Sequence, residues 1–104
     1  MKVKIFDEDL GKFIYSLERP TIAKVLSTVD LLETFGNKLA MPHSKKVMGR
    51  IFELRIRGAQ EVRLFYVFQK SEAIILTGFV KKTSKTPRDE IERALSKLLL
   101  LDSV

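Results

Sequence analysis

The sequence predicts an α+β fold in which a helical hairpin packs on a small, mainly antiparallel sheet. Two observations predict it. The first third of the chain has apolar residues at helical spacing, interrupted by Arg19-Pro20. The second half has three strand-like segments with connections too short for anything except antiparallel neighbours. At 104 residues, the chain is expected to be a single domain, 1–104.

The N-terminal part is predicted to be a short strand followed by two helices. Val3, Ile5 and Phe6 indicate the strand. The first helix is indicated by apolar residues at i, i+3, i+4 and i+7, namely Leu10, Phe13, Ile14 and Leu17. The second is predicted to begin near Pro20 and to end at Gly36-Asn37. Its expected buried stripe is Ile22, Val25, Leu26, Val29 and Leu32.

Residues 39–50, LAMPHSKKVMGR, are predicted to form a loop because they contain proline and glycine and lack clear periodicity. Three strands follow: IFELRIRG from residue 51, VRLFYVF from residue 62 and AIILTGFVKK from residue 73. The first alternates apolar and charged residues, whereas the second is apolar on both faces and is therefore expected to be central.

The last element is predicted to be a helix with Thr86 as N-cap and Pro87 in the first helical position. Its expected buried stripe is Ile91, Ala94, Leu95 and Leu98. The predicted order of elements is β-α-α-β-β-β-α, with the last three strands forming an antiparallel meander.

Composition argues against several classes of function. The chain has no cysteine and a single histidine, His43, so thiolate and histidine-rich metal sites are excluded, and no cofactor is expected. No glycine-rich phosphate loop is present. No apolar run is long enough to span a bilayer and the opening residues do not resemble a signal peptide, so no membrane partner and a cytoplasmic location are expected.

Positive charge is concentrated in the second part of the chain. The formal net charge is +6 and the isoelectric point is near 9.7. Residues 1–35 hold five basic against six acidic side chains, whereas residues 36–104 hold fourteen against seven. This asymmetry predicts a localised basic surface for a polyanionic partner.

Arginines and lysines are the main candidates for function. Arg55 and Arg57 share a strand face, Arg63 lies on the next strand, and Lys81 and Lys82 end the third. Such groups bind RNA phosphate and could stabilise the phosphorane formed during 2′-OH attack. The predicted RNA-binding residues are Arg57, Lys81, Lys85, His43, Lys45 and Lys46.

Each of these residues also has a structural interpretation. Exposed arginines on a strand can be a solvated face, and Arg63 can pair with Glu53 or another carboxylate. Glu53 is a possible general base or an ion-pair partner of an arginine. Tyr66 and Phe68 lie opposite Arg63 and are expected to belong to the core rather than to stack on bases.

The segments KLAMPHSKKV, IFELRIRG, VRLFYVF and GFVKKTSKTPRDEIERA, in this order and spacing, resemble the RelE/HigB toxin superfamily, particularly its phage-derived HigB-like branch. The resemblance covers about residues 36–95. It implies a RelE-like fold and a metal-independent endoribonuclease that cuts mRNA on the ribosome and inhibits translation. It also implies a cognate antitoxin, expected to be a helix-turn-helix protein encoded nearby.

By position, the resemblance implies that Arg55, Arg63 and Lys82 (or its neighbour Lys81) are catalytic. Glu53 stands where some relatives have lysine, and Ile91 falls near where some have tyrosine, so the proton-transfer groups stay open. Two other functions also stay open. One is a ParE-like inhibitor of gyrase, and the other is a non-catalytic RNA-binding module descended from a toxin.

Overall fold

The structure is a computed structural model that describes residues 1–103, and its fold is α+β as predicted. Residues 1–103 form five strands, three α-helices and one short 3-10 helix. In chain order they are β1 (Lys2–Ile5), α1 (Glu8–Tyr15), α2 (Arg19–Phe35), the 3-10 helix (Gly36–Lys38), β2 (Ser44–Met48), β3 (Ile51–Ile56), β4 (Val62–Gln69), β5 (Glu72–Val80) and α3 (Arg88–Asp102).

The predicted loop at residues 39–50 was wrong, because residues 44–48 form the strand β2. β2 turns back through Gly49 and Arg50 to pair antiparallel with β3, so that Lys45 lies opposite Glu53. Gly49 has a positive φ of 54°, which glycine adopts without strain. Lysines are frequent on edge strands, so their presence here does not argue against a strand.

The sheet has the order β1-β5-β4-β3-β2 and is mainly antiparallel, with β1 parallel to β5. The hairpin of α1 and α2 covers one face, where Leu10, Val25 and Leu32 pack against Leu54 and Leu64. The helix α3 covers part of the other face. The apolar cluster on that side consists of Ile51, Phe65, Val67, Ile74, Leu76, Phe79 and Ala94. The prediction that residues 62–68 form a central strand is confirmed, since β4 has neighbours on both sides.

The helix ends have different causes. Asp7 caps α1 by accepting a hydrogen bond from the Leu10 amide at 3.1 Å. Gly36 ends α2 with φ +56°, as the predicted C-cap required. The predicted N-cap at Thr86 was wrong, because α3 begins at Arg88 and the extended residue before it is Pro87, without a side-chain cap.

Two predicted buried residues lie at the margins of their helical stripes. Leu26 is 49% exposed and Leu95 is 36% exposed. Adjacent residues on a helix point about 100° apart, so each neighbour of a fully buried residue turns toward solvent. Those buried neighbours are Val25 and Ala94, both 0% exposed.

Candidate functional site

A buried charge cluster lies on the α3 side of the sheet, beyond the part covered by α3. Glu53 and Arg55 share this face because they are two residues apart on β3. The pairing of β3 with β4 places Arg55 directly opposite Arg63 and places Glu53 opposite Phe65. The strand register therefore brings three charged residues together, and we call Glu53, Arg55 and Arg63 the buried charge cluster.

One carboxylate oxygen lies close to both guanidinium groups. Glu53 Oε1 is 3.5 Å from Arg55 Nε and 3.9 Å from Arg63 Nε. Glu53 is 5% exposed and Arg63 only 2%, while the Arg55 side chain is 14% exposed. Among residues 1–103, both Nε atoms lack a hydrogen-bond partner. The cluster is thus neutralised by charge but retains unused hydrogen-bond donors, a costly arrangement in a buried site.

Glu61 is a second carboxylate of the site that the sequence analysis did not single out. Its Oε2 lies 3.2 Å from Arg63 Nη1 and 3.7 Å from Arg57 Nε. Arg63 Nη1 also donates to the Val62 carbonyl at 3.2 Å. Glu61 lies two residues before Arg63, so strand alternation was the signal that could have identified it. The ion-pair interpretation of Arg63 is therefore observed, with Glu61 nearer than Glu53.

A cavity of about 160 Å³ opens over the cluster at Glu53. It is lined by Lys45, Lys46, Val47, Glu53 and Thr86. Lys45 extends from the position opposite Glu53 on the edge strand β2. Thr86 comes from the segment that joins β5 to α3, so this segment passes beside the cavity. We call this space the Glu53 cavity; its walls are basic and its only acidic lining residue among those described is Glu53.

The other predicted RNA-binding residues surround the site at different distances. The Lys81 amide donates to the Glu61 carbonyl at 2.7 Å, which holds Lys81 beside the second carboxylate. The His43 carbonyl accepts from the Arg55 amide at 2.8 Å, although its imidazole is exposed. Lys82 and Lys85 are exposed in the segment after β5. The Lys85 carbonyl accepts a hydrogen bond from the Thr83 hydroxyl at 2.8 Å.

The structure therefore divides the predicted residues into two groups. Glu53, Arg55 and Arg63 form the cluster, and Lys45 and Lys46 line the cavity above it. Residues 43, 57, 81, 82 and 85 lie outside the cavity lining of the described chain, where they extend the positive surface. Within residues 1–103, no group of three or more His, Cys, Asp or Glu side chains is arranged to bind a metal ion.

Tyr66 and Phe68 belong to the aromatic packing on the opposite face, as predicted. Tyr66 is 1% exposed and stacks on Phe52 with ring centroids 5.7 Å apart. Burial raises the pKa of the Tyr66 hydroxyl, although its hydrogen bond with Ser44 opposes the change. The bond between Tyr66 and Ser44 also links β4 to the edge strand β2. These aromatics position the strands that carry the cluster.

Comparison with known proteins gives one family. Residues 12–98 match the model of the family described as Phage derived protein Gp49-like (DUF891). The matched range includes both strands of the charge cluster and the segment with Lys82 and Lys85. No curated protein matches the chain. Among residues 1–103, no helix has both the length and the apolar character required to cross a membrane.

Proposed function

Because the chain belongs to the phage-derived Gp49-like family, which is associated with toxins of toxin–antitoxin systems, we propose that it is a type II toxin that cuts mRNA on the ribosome. The observation that carries the proposal is the Glu53 cavity. A carboxylate at its floor lies between two guanidinium groups, and lysines form its walls. A proton acceptor beside phosphate-binding cations is the combination needed for cleavage by a neighbouring hydroxyl.

In the proposed reaction the ribose 2′-oxygen attacks the adjacent phosphorus and its proton passes to Glu53. The bond from phosphorus to the 5′-oxygen breaks, and this oxygen leaves with a proton from water or from a lysine such as Lys82. The products are a 2′,3′-cyclic phosphate and a 5′-hydroxyl. The Arg55 guanidinium stabilises the charge that grows on the phosphate oxygens. None of these steps needs a metal ion or a cofactor.

We propose a different task for Arg63 from that of direct contact with phosphate. Its side chain is 3% exposed and already lies beside two carboxylates. We propose that Arg63 positions Glu53 and Glu61, and that Glu61 in turn holds Arg57 at the margin of the site. Arg57, His43, Lys45, Lys46, Lys81 and Lys85 bind the RNA backbone in this scheme, where point charges and forks suffice.

The partners follow from the same proposal. Ribosomal RNA and mRNA are the polyanions that meet the basic surface in the cytoplasm. A cognate antitoxin, expected to be a helix-turn-helix protein encoded nearby, keeps the toxin harmless to its host. Stable co-purification of the chain with the product of a neighbouring gene is the expected result. Harmless expression of the chain without any partner would argue against the antitoxin.

A non-catalytic RNA-binding module is the second candidate, because ion pairing of Glu53 with two arginines can also be purely structural. The two functions differ in the fate of the transcript. Inducible expression followed by mapping of mRNA 5′ ends should show new ends that appear on translated messages. Intact messages on ribosomes that retain the bound chain would favour the RNA-binding module instead.

Glu53→Gln gives the sharper comparison, since it removes the charge while preserving shape. Loss of a general base should lower cleavage by about 10²-fold or more, whereas ribosome binding should not weaken because a negative charge has been removed. Arg93→Ala is the matched control. Arg93 is on α3, outside the Glu53 cavity, and pairs at the surface with Glu90. Full cleavage by a folded Glu53→Gln protein would exclude Glu53 as the base.

A further inference from the structure

The edge strand β1 lies between two apolar depressions. β1 is the last strand of the sheet and pairs with β5 alone among the described elements. On the α3 side, a groove of about 540 Å³ has Phe6, Ile74 and Leu100 in its lining. On the side of α1 and α2, a cavity of about 200 Å³ is lined by apolar residues including Tyr15 and Leu26. Ile5 lines both depressions.

The apolar side chains around this edge are unusually exposed. Ile5 is 47% exposed, Leu26 49%, Leu100 60% and Tyr15 72%. Single exposed apolar residues are ordinary on protein surfaces, but several that gather beside one strand indicate an interaction surface.

The backbone of β1 offers hydrogen bonds in the same place. The Phe6 amide donates to the Ile75 carbonyl at 2.8 Å, so the backbone of Phe6 faces β5. Alternate residues of a strand face opposite sides, which turns the amides and carbonyls of Val3 and Ile5 away from the sheet. Such an edge is a template for an added strand.

The charges of β1 select the partner of this edge. Lys2 and Lys4 lie on the α3 side of the strand, where Phe6 joins the α3-side apolar cluster. In a symmetric antiparallel pair of two β1 strands, residues on the same face oppose each other, so lysine meets lysine in the central registers. The other edge strand, β2, would bring Lys45 to that face. Both arrangements place like charges opposite, which disfavours a second copy.

A carboxylate is the group that Lys4 already pairs with inside the sheet. Its Nζ lies 3.2 Å from Glu72 Oε2 on β5, and about half of the Lys4 side chain remains exposed. An acidic side chain on the outer side of β1 would repeat this arrangement. Lys2 is exposed as well and has no ion pair within residues 1–103.

We propose that β1 is the docking edge for an extended protein segment whose acidic residues alternate with apolar ones, and that this segment adds a strand to the sheet. Its acidic side chains meet Lys2 and Lys4, and its apolar side chains enter the cavity beside Ile5. The inference deepens the proposed antitoxin by naming how it binds, and it rests on the proposed function only for that identity. Its test uses no ribosome and no RNA cleavage, so the two can fail separately.

The probe is a nonapeptide that alternates glutamate with valine or isoleucine. One control has the same composition with its glutamates in a single block, and a second has lysine in place of glutamate. Binding to the ¹⁵N-labelled chain is followed by NMR and by amide hydrogen exchange. The alternating acidic peptide should protect the Val3 and Ile5 amides, and neither control should. Equal binding by both acidic peptides, with shifts only near Lys45 and Lys82, would overturn the proposal.

Two substitutions at one position separate backbone pairing from apolar contact. Ile5→Ala removes the side chain and retains the amide, whereas Ile5→Pro also removes the outward amide at a position where an edge strand tolerates proline. We expect the proline variant to bind the acidic peptide at least tenfold more weakly than the alanine variant, with thermal melts verifying that both are folded. Equal affinities would exclude strand addition.

Charge reversal tests the partner's chemistry. The Lys2→Glu/Lys4→Glu variant should lose the acidic peptide and gain the lysine peptide. The matched control is Arg19→Glu/Arg88→Glu, which changes the net charge equally at two exposed positions at the starts of α2 and α3. It should retain the wild-type preference. A loss of binding in both variants would show that only net charge matters, and a dimer of the free chain in sedimentation would indicate a second copy as the occupant.

Discussion

At position 63 a guanidinium lies within the sheet with carboxylates on two sides. Arg63 Nη1 is 3.2 Å from Glu61, and Arg63 Nε is 3.9 Å from Glu53. Glu61 is partly exposed and can recover water, whereas Glu53 is almost fully buried. Removal of Arg63 therefore affects Glu53 most, since an unpaired buried charge is costly.

We expect Arg63→Ala to lower the free energy of unfolding by about 3 kcal/mol, because one partner of a buried ion pair is lost. Cleavage per folded molecule should also fall, since Glu53 loses a group that positions it. Arg63→Lys should restore part of the stability but less of the activity, because lysine cannot reproduce the guanidinium fork. Urea denaturation and cleavage of ribosome-bound mRNA measure the two effects.

The matched control for position 63 is Arg93→Ala. Arg93 pairs with Glu90 at 2.6 Å on the exposed side of α3, where an ion pair contributes at most about 1 kcal/mol. If Arg63→Ala leaves stability unchanged but abolishes cleavage, direct contact of Arg63 with the phosphate becomes the better assignment. A stable and fully active Arg63→Ala protein would exclude both roles.

At the scale of elements, Asp7 connects the first helix to the last. It caps α1 through the Leu10 amide, and its Oδ2 lies 2.9 Å from Lys97 Nζ on α3. Partial burial alone would raise the pKa of Asp7, but the hydrogen bonds from Lys97 and Leu10 and the charges of Lys97 and Arg93 lower it below its usual value. The lowered pKa means that folding favours the ionised carboxylate.

This contribution to stability should be present above the unfolded-state pKa of about 3.9 and should disappear as the pH falls through the lower folded-state pKa. We compare the wild type with Asp7→Asn, which retains a cap but not the charge. The variant should be less stable by about 0.5–1 kcal/mol at pH 6, and the difference should vanish below about pH 3. Urea unfolding across this range measures it. A difference that is independent of pH would exclude the ion pair as the cause.

At the scale of the whole molecule, charge and function are arranged on opposite parts of the sheet. The residues after position 35 have a net charge of +7, and they include the strands β2 to β5. The strand β1, at the other edge, belongs to the part with a net charge of −1. One edge therefore has the potential to attract polyanions, while the other has an apolar surface for a partner.

We expect ribosome binding to weaken steeply with salt, because each neutralised phosphate releases counterions. Lys45→Gln/Lys46→Gln should lower the slope of log affinity against log salt by about 1.5, from roughly 0.7 per phosphate contact. The control Lys2→Gln/Lys4→Gln changes the net charge equally at the other edge and should leave the slope unchanged. Co-sedimentation with ribosomes at several salt concentrations provides the measurement. A salt-independent affinity would contradict this electrostatic account.

Part of this molecule could be predicted from local pattern. Helical spacing identified α1, α2 and α3, and apolar residues on both faces identified β4 as central. The strand β2 could not be predicted in this way. Its residues SKKVM have no apolar alternation, and they form a strand because β3 supplies backbone partners. Strand formation at an edge depends on a neighbour more than on propensity.

The sequence by itself determined which charges the site contains and that Arg63 needed a partner, because a charged residue in an otherwise apolar strand must be compensated. Only the tertiary structure decided which partner. The register of β3 and β4 places Arg55 opposite Arg63 and brings Glu53 to both, and the turn before β4 adds Glu61. It also decided that β1 is an exposed edge between two apolar depressions. Pairing and register depend on contacts between residues distant in the chain, which local patterns do not encode.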